Sequence, residues 1–206
     1  MTAASITAAL LARLTRLITG VRARWVGLAP TTAQRVYFAN HTSHLDTLVI
    51  WASLPPPIRA RTRPVAAADY WDRPGVRRWL ATRVLNALLV DRAGGCGSRE
   101  ALHRIDAALA AGDSLILFPE GTRGDGTSVG ELKPGIFFVA RHRPGVELVP
   151  VYLQDLSRIL PKGEFLPVPL LGSATFGAAL SLGPREHRHQ FLNRARDALI
   201  SLGGLS

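Results

Sequence analysis

Residues 35–51 read RVYFANHTSHLDTLVIW, and this stretch decides the fold. Its first five residues are typical of a short buried strand, and residues 45–51 begin an apolar helical run. Ser43 and Asp46 have capping-box spacing, which places Asp46 in the first turn of the helix. The stretch therefore predicts a strand, a turn and a helix, with His41 where the strand ends.

The predicted turn brings two chemically useful side chains within reach of each other. In one continuous helix, His41 and Asp46 would lie about 140° apart around the axis, whereas a strand-to-helix turn can place them together. Histidine is the side chain best suited to proton transfer near neutral pH, and a carboxylate can hold and polarise it. On spacing alone, a capping aspartate and a loop histidine are the more frequent interpretation.

A second unusual stretch, FPEGTR at residues 118–123, follows the apolar run at residues 115–117. It is therefore expected at the carboxyl end of another strand, the edge of an open α/β sheet at which ligands bind. Strand and helix patterns alternate along the chain, with connections long enough for helices. This alternation predicts an α/β fold with a mostly parallel central sheet, helices on both faces and a preceding N-terminal amphipathic helix.

With these stretches, the chain resembles the glycerophosphate and lysophospholipid acyltransferases, in particular the 1-acyl-glycerol-3-phosphate acyltransferase type. The family's first block, N-H-x4-D, matches residues 40–46, and its third, F-P-E-G-T-R, matches residues 118–123. Its second and fourth blocks match LLVDR at residues 88–92 and LVPVYL at residues 148–153. KPG at residues 133–135 falls where the family often has K-x-G. The blocks keep the family's order over somewhat more than half of the chain.

The resemblance and the residue chemistry together assign roles. We expect His41 to be the general base for the acceptor hydroxyl and Asp46 to hold its other ring nitrogen. The acceptor hydroxyl itself attacks, so no acyl-enzyme is required. Arginine meets phosphate oxygens bidentately, and the resemblance implies acceptor phosphate binding by the second and third blocks. The candidate substrate-binding residues are Arg92, Glu120, Gly121, Thr122, Arg123 and Lys133.

Three of these residues have more specific or alternative roles. A carboxylate should not touch a phosphate directly, so Glu120 is assigned to the glycerol hydroxyl or to orienting an arginine. Gly121 leaves room for the backbone to approach the substrate. Without the resemblance, a salt bridge to Asp91 or another acid explains Arg92 as well as phosphate binding does.

The net charge of +10 is concentrated in the first half of the chain. Residues 1–103 carry 14 Arg and Lys against 5 Asp and Glu, whereas residues 104–206 carry 11 against 10. This indicates an anionic partner, such as an acidic membrane surface, a phosphorylated substrate, coenzyme A, an acidic carrier protein or nucleic acid. The alternative is an ordinary solvated, arginine-rich surface. We expect no nucleic acid, because zinc-finger spacing, aromatic RNA-binding signatures and a basic helix with heptads are missing from the sequence.

Residues 3–26 are predicted to form a basic amphipathic helix. Its apolar stripe comprises Ile6, Leu10, Leu14, Leu17, Val21 and Trp25. Such a helix can lie at the lipid headgroup boundary, and the alternative is that the stripe packs on the protein core. We therefore divide the chain into an amphipathic helix at residues 1–28, a candidate for the membrane interface, and an acyltransferase domain at residues 29–206.

The sequence contains no run of the ~18 to 20 apolar residues that span a bilayer, and its N-terminus lacks a signal peptide's order of charges. We expect a peripheral or interfacial protein on the cytoplasmic face of the cell membrane. The single Cys96 fits a reducing compartment and is interpreted as incidental. His44, near His41 and Asp46, is poor evidence for zinc, so neither a metal nor a cofactor is expected.

The resemblance implies an O-acyltransferase that moves a fatty acyl group from acyl-CoA or acyl-carrier protein to a lysophospholipid. The first expectation is 1-acyl-glycerol-3-phosphate as acceptor, which gives phosphatidic acid. Alternatives are glycerol-3-phosphate or a lyso-aminolipid as acceptor, and a non-catalytic, basic lipid-binding protein of the membrane surface. A hydrolase is disfavoured because the sequence has no G-x-S-x-G motif.

The glycine-rich residues 121–135 are either a mobile loop over the site or an ordinary solvent loop. The remaining predicted elements are strands at residues 64–68, 88–92, 114–118, 146–153 and 165–171, and helices at residues 69–86, 98–111, 135–141 and 186–202.

Overall fold

The computed structural model describes residues 2–43, 45–72, 74–91, 94–124, 126, 128–154, 156 and 172–204. The strands in these residues are β1 (Arg22–Trp25), β2 (Arg35–Ala39), β3 (Thr62–Ala67), β4 (Leu88–Val90), β5 (Ser114–Leu117), β6 (Glu147–Gln154) and β7 (Ser173–Phe176). They form one sheet in the order β1-β7-β6-β2-β5-β3-β4. The predicted strand at residues 165–171 lies outside the described residues.

The centre of the sheet is parallel. β2 pairs in parallel with β5 and β6, and β3 pairs in parallel with β4 and β5. β7 runs antiparallel to β6, and β1 is parallel to β7. The carboxyl ends of the five central strands therefore share one edge, which confirms the predicted mostly parallel sheet.

Helices cover both faces of this sheet. They are α1 (Ala3–Thr19), α2 (Asp46–Ser53), α3 (Pro56–Arg59), α4 (Ala68–Trp71), α5 (Val76–Trp79), α6 (Gly94–Ala110), α7 (Gly135–His142) and α8 (Arg188–Gly203). α5 continues as a π-helical turn, Leu80–Val84. One apolar cluster joins the sheet to α1, α2 and α3, and the other joins it to α6, α7 and α8.

β2 shows why both faces must be covered. All five of its residues are buried. Because successive side chains of a strand point to opposite faces, Tyr37 enters the α2 cluster, whereas Val36 and Phe38 enter the α6–α8 cluster. A short strand that is apolar on both faces is typical of the middle of such a sheet.

The prediction of one N-terminal helix through residue 26 is wrong. Gly20 has a left-handed conformation with φ 55°, which ends α1 at Thr19. The residues after it pair with β7, and the ring of Trp25 stacks on Phe176 with 4.1 Å between ring centroids. Val21 and Trp25 therefore do not extend the helical apolar stripe.

α1 packs on the domain through small residues. Ala12, Thr15 and Thr19 are buried, and Arg16 donates from Nε to the Ala52 carbonyl at 2.7 Å. The leucine stripe points outward, and Leu17 is 81% exposed. The alternative in which the stripe packs on the core is therefore wrong for its helical part, although Val21 and Trp25, which follow the helix, do pack there.

The large apolar residues that α1 exposes are Ile6, Leu10, Leu14, Leu17 and Ile18. We call these five residues the outer stripe. Within the described part of the chain, the structure contains no helix with the length and hydropathy to cross a membrane. The division of the chain at residue 28 stays a prediction.

The basic segment predicted to be mostly helical at residues 69–86 contains one interruption. α4 ends at Trp71, and Gly75, with φ 107°, precedes α5. Glycine adopts this backbone conformation without the steric cost that a side chain brings. The segment is therefore mostly helical, as predicted, but it consists of two helical segments.

Candidate active site

The first and third blocks lie side by side at the carboxyl edge of the sheet. β2 and β5 are adjacent and parallel, with Phe38 opposite Leu117 in the register. The residues that follow these strands consequently meet. The rings of His41 and Phe118 stack with 4.2 Å between centroids.

His41 and Asp46 form a hydrogen-bonded pair. Asp46 begins α2 and its side chain is fully buried, whereas the His41 side chain is 16% exposed. The distance from His41 Nδ1 to Asp46 Oδ2 is 2.8 Å. Because a carboxylate oxygen accepts, Nδ1 carries the proton and Nε2 is left as the basic nitrogen.

The backbone fixes the carboxylate of Asp46 in this orientation. The N–H groups of Thr42 and Ser43 donate to the same Oδ2 at 2.6 and 2.9 Å. The Ser43–Asp46 bond is one half of the predicted capping box, but the prediction of Ser43 as the N-cap is wrong, because the N-cap of α2 is Leu45. In place of the other half, Ser43 Oγ accepts from the N–H of Leu45 at 3.3 Å. Asp46 thus lies in the first helical turn, as predicted.

Glu120 is bonded to the main chain around His41. Its side chain is nearly buried, and Oε1 accepts from the His41 N–H at 2.9 Å. Oε2 accepts from the Gly130 N–H at 3.0 Å. The assignment of Glu120 to a glycerol hydroxyl or to an arginine stays a prediction.

Gly121 and Lys133 are packed against each other beside His41. Gly121 has φ 72°, and a Cβ there would lie 2.7 Å from Lys133 Cε and closer still to Nζ. The N–H of Lys133 donates to the Pro119 carbonyl at 2.8 Å. Glycine is therefore favoured at position 121 by its backbone conformation, and any side chain there would also displace the end of Lys133.

The other predicted phosphate ligands are placed differently. Thr122 and Arg123 are exposed on the loop that follows Gly121. Arg92 and His44 lie outside the described residues. The structure therefore brings together His41, Asp46, Glu120, Gly121 and Lys133, and it leaves Thr122 and Arg123 at the surface next to them.

A cavity of about 730 Å³ lies between the sheet, α6 and α7, and His41, Gly121 and Lys133 are among the residues that line it. Its wall is largely apolar and includes Val65, Val90, Ala101, Ile105, Leu117, Ile136 and Phe137. No sequence pattern indicates this cavity, because each of these wall residues is an ordinary apolar residue of a strand or helix. Only the packing shows which of them border empty space.

Arg143 and Asp106 link the two helices beside the cavity. Two hydrogen bonds of 2.7 Å join the guanidinium to the two carboxylate oxygens. The Arg143 guanidinium holds the pKa of Asp106 below its ordinary value. The ion pair therefore joins α6 to the residue directly after α7.

Comparison with known proteins agrees with this geometry. The model of a protein family described as Acyltransferase matches residues 26–154. The chain belongs to the acyltransferase family. This confirms the resemblance carried by the sequence blocks.

Two curated relatives of this acyltransferase carry the same enzyme name. A 1-acyl-sn-glycerol-3-phosphate acyltransferase of Chlamydomonas reinhardtii is 27% identical over 174 residues, which are 84% of this chain and 50% of the relative. The chloroplastic 1-acyl-sn-glycerol-3-phosphate acyltransferase of Arabidopsis thaliana is 39% identical over 65 residues, 32% of this chain and 18% of the relative. The chain thus spans half or less of the length of these relatives.

A solved structure shares the fold of this acyltransferase. It is the crystal structure of the 1-acyl-sn-glycerophosphate acyltransferase PlsC from Thermotoga maritima, with a TM-score of 0.72 and 20% sequence identity. The similarity covers 96% of this chain and 79% of that one. It supports the α/β architecture over nearly the whole chain.

The acyltransferase site also depends on residues that sequence reasoning did not select. The Asn40 side chain exchanges two hydrogen bonds with the backbone of Leu153, at 2.8 and 2.9 Å, which ties the end of β2 to β6. Asn40 was detectable as the first residue of its block. Arg196 on α8 contacts the loop beside the site, and nothing in the sequence around it indicates this contact.

Proposed function

We propose that this acyltransferase moves a fatty acyl group from a thioester donor to a lysophospholipid, with 1-acyl-glycerol-3-phosphate as the first acceptor and phosphatidic acid as the product. The observation that carries the proposal is the His41–Asp46 pair, whose facing atoms are 2.8 Å apart, with His41 lining a largely apolar cavity. The names of the two curated relatives support the choice of acceptor.

His41 Nε2 takes the proton of the acceptor hydroxyl while that oxygen attacks the thioester carbonyl. The buried Asp46 stabilises the imidazolium that forms and keeps the ring in place. When the tetrahedral intermediate collapses, the new C–O ester bond remains and the C–S bond breaks. The imidazolium returns its proton to the leaving thiolate, which leaves His41 neutral for the next cycle.

The acyl chain of the donor occupies the apolar cavity, so that its thioester carbon lies near His41. Each methylene group that moves from water into such an apolar cavity contributes about 0.8 kcal/mol to the free energy of binding. Acyl-CoA and acyl-carrier protein present the same thioester to this cavity. Both donors therefore remain part of the proposal.

The phosphate of the acceptor lies between Lys133, Arg123 and Arg92 in this proposal. Lys133 supports it most directly, because the side chain crosses Gly121 and both residues line the cavity with His41. Thr122 and Gly121 belong to the same loop and offer a hydroxyl and an accessible backbone. Arginine and lysine side chains favour a doubly charged phosphate over a neutral headgroup.

The outer stripe of α1 is proposed to dock on an anionic membrane surface, in keeping with the predicted position at the cytoplasmic face. Burial of one large aliphatic side chain contributes about 1.5 to 3 kcal/mol. The net charge of +10 adds attraction to anionic lipid. We expect Leu17→Asp to weaken binding to phosphatidylglycerol vesicles at least tenfold in a flotation assay.

Ile200→Asp is the matched control, because Ile200 is an apolar residue of α8 that is 44% exposed. It should bind the same vesicles as the native protein does. Equal binding by native protein and Leu17→Asp would contradict docking through the outer stripe.

The activity is tested by release of free thiol from acyl-CoA, with and without 1-acyl-glycerol-3-phosphate, together with identification of the lipid product. The native protein should release thiol only with acceptor, and His41→Ala should not. His189→Ala removes an exposed histidine of α8 and should retain activity. Release without acceptor would indicate a thioesterase. No release with any thioester donor or lyso acceptor, while lipid binding persists, would favour a non-catalytic lipid-binding protein.

A further inference from the structure

Arg196 connects the C-terminal helix to the active-site loop. Its Nε and Nη2 atoms donate to the Val129 carbonyl at 2.9 and 2.7 Å, and Nε also reaches the Gly130 carbonyl at 3.2 Å. One guanidinium therefore holds two successive carbonyl groups of the loop. α8 lies beyond residues 26–154, the part of the chain that the family model matches.

The same loop residues are bonded to the main chain of His41. The Gly130 N–H donates to one oxygen of Glu120, and the other oxygen accepts from the His41 N–H. On its other side, the His41 carbonyl accepts from the Gly124 N–H at 2.8 Å. The backbone of the catalytic histidine is thus held on both sides by the third block and the loop after it.

These hydrogen bonds link Arg196 through residues 129–130 and Glu120 to His41. The packing leaves little freedom in this linkage. Glu120 is 9% exposed and Val129 is 4% exposed. A Cβ on Gly130 would lie only 2.9 Å from Glu120 Oε2, so the loop approaches the carboxylate as closely as a glycine allows. Both ends of the linkage use charged groups, whose hydrogen bonds are roughly twice as strong as neutral ones.

We propose that Arg196 and Glu120 are positioning residues of the acyl transfer. Through residues 129–130, they fix the main chain of His41 and thereby the place of Nε2 relative to the acceptor hydroxyl. The inference rests on the proposed function. Neither side chain contacts substrate in this role, and a misplacement of about 1 Å can reduce a rate about 100-fold.

Arg196→Ala tests this role, with Arg194→Ala as the matched control. Arg194 lies on the same helix and also donates to a backbone carbonyl, that of Ser181, at 2.7 Å, but it pairs with Glu186 away from the loop. We expect Arg196→Ala to lower kcat about 10- to 100-fold with the acceptor KM unchanged. Arg194→Ala should keep kcat within about twofold, even where it lowers the melting temperature.

Conservative variants separate positioning from binding. Arg196→Lys retains one donor group and should recover part of kcat. Glu120→Gln can accept only one of the two N–H groups, so it should also lower kcat, and adding Arg196→Ala should cost less than it does in the native chain. A raised acceptor KM with unchanged kcat in Glu120→Gln would assign Glu120 to substrate binding and overturn the proposal. Native kcat in Arg196→Ala would overturn it as well.

Hydrogen–deuterium exchange tests the linkage without any need for turnover. In Arg196→Ala, the amides of His41 and Gly130 should exchange at least tenfold faster than in Arg194→Ala, at temperatures where both variants are folded. Unchanged protection at both amides would refute the linkage. If the protein proves inactive with every donor and acceptor, this measurement still decides whether Arg196 holds His41.

Discussion

Replacement of Asp46 by asparagine separates the charge of the His41–Asp46 pair from its geometry. Three N–H groups, those of His41 Nδ1, Thr42 and Ser43, converge on Oδ2 at 2.6 to 2.9 Å. They require an acceptor, so the amide oxygen of asparagine takes this position. The ring tautomer is preserved, and the negative charge beside the imidazolium is lost.

The loss of this charge determines the size of the effect. Two unit charges about 4 Å apart attract by about 4 kcal/mol at an effective dielectric constant of about 20. Because each ~1.4 kcal/mol corresponds to a tenfold change in rate, kcat should fall about 1,000-fold. The amide NH₂ takes the place of Oδ1, which has no hydrogen-bond partner among the described residues. Burial of that unpaired donor should reduce the free energy of unfolding by about 1 to 3 kcal/mol.

The assay is steady-state thiol release at saturating acyl-CoA with varied acceptor, alongside thermal unfolding. Asp69→Asn is the control, because Asp69 also lies in the first turn of a helix but is exposed. The acceptor KM of Asp46→Asn should be unchanged, and His41→Ala with Asp46→Asn should be no slower than His41→Ala alone. A kcat within fivefold of the native value, or a raised KM at native kcat, would refute the reasoning.

Two further predictions concern the cavity and the helices beside it. Ala101→Phe fills part of the cavity, so it should lower kcat/KM for long acyl chains about fourfold per excluded methylene and spare short ones, as measured with an acyl-CoA series. Unchanged chain-length preference would contradict acyl binding there. Asp106→Asn should lower the melting temperature at pH 7, because Arg143 lowers the pKa of Asp106 in the folded state. That stabilisation exists above the unfolded-state pKa, near 4, and is lost as pH falls through the folded-state pKa, so the two melting curves should converge in acid.

The convergence of the two motif-bearing loops was predictable from the sequence. The strand before His41 and the strand before Phe118 each read as short apolar runs, and parallel strands end at a common edge. The position of Asp46 in the first helical turn followed from its spacing to Ser43. These features are encoded by local patterns that the fold then preserves.

Other features depend on packing between distant residues. The helical period of the N-terminal segment continues past Gly20, so it did not indicate that α1 would end there. It also did not indicate that the face carrying Ala12 would be the buried one. That face is buried because small residues let α1 approach α2 closely, and the Arg16 bond to Ala52 reinforces the contact. Arg196 shows the same limit, since its partners lie 66 and 67 residues away in the chain.

The antiparallel pairing of β7 with β6 sets a lower limit on the autonomous folding unit. A fragment restricted to residues 26–154 would lose β1, β7 and α8, which leaves β6 as an unpaired sheet edge open to aggregation. It would also remove Phe191, Ala195 and Leu199, all fully buried, and so uncover one face of the sheet. We therefore expect the fragment of residues 26–154 to aggregate, so truncation for crystallisation or fusion has to retain both flanks.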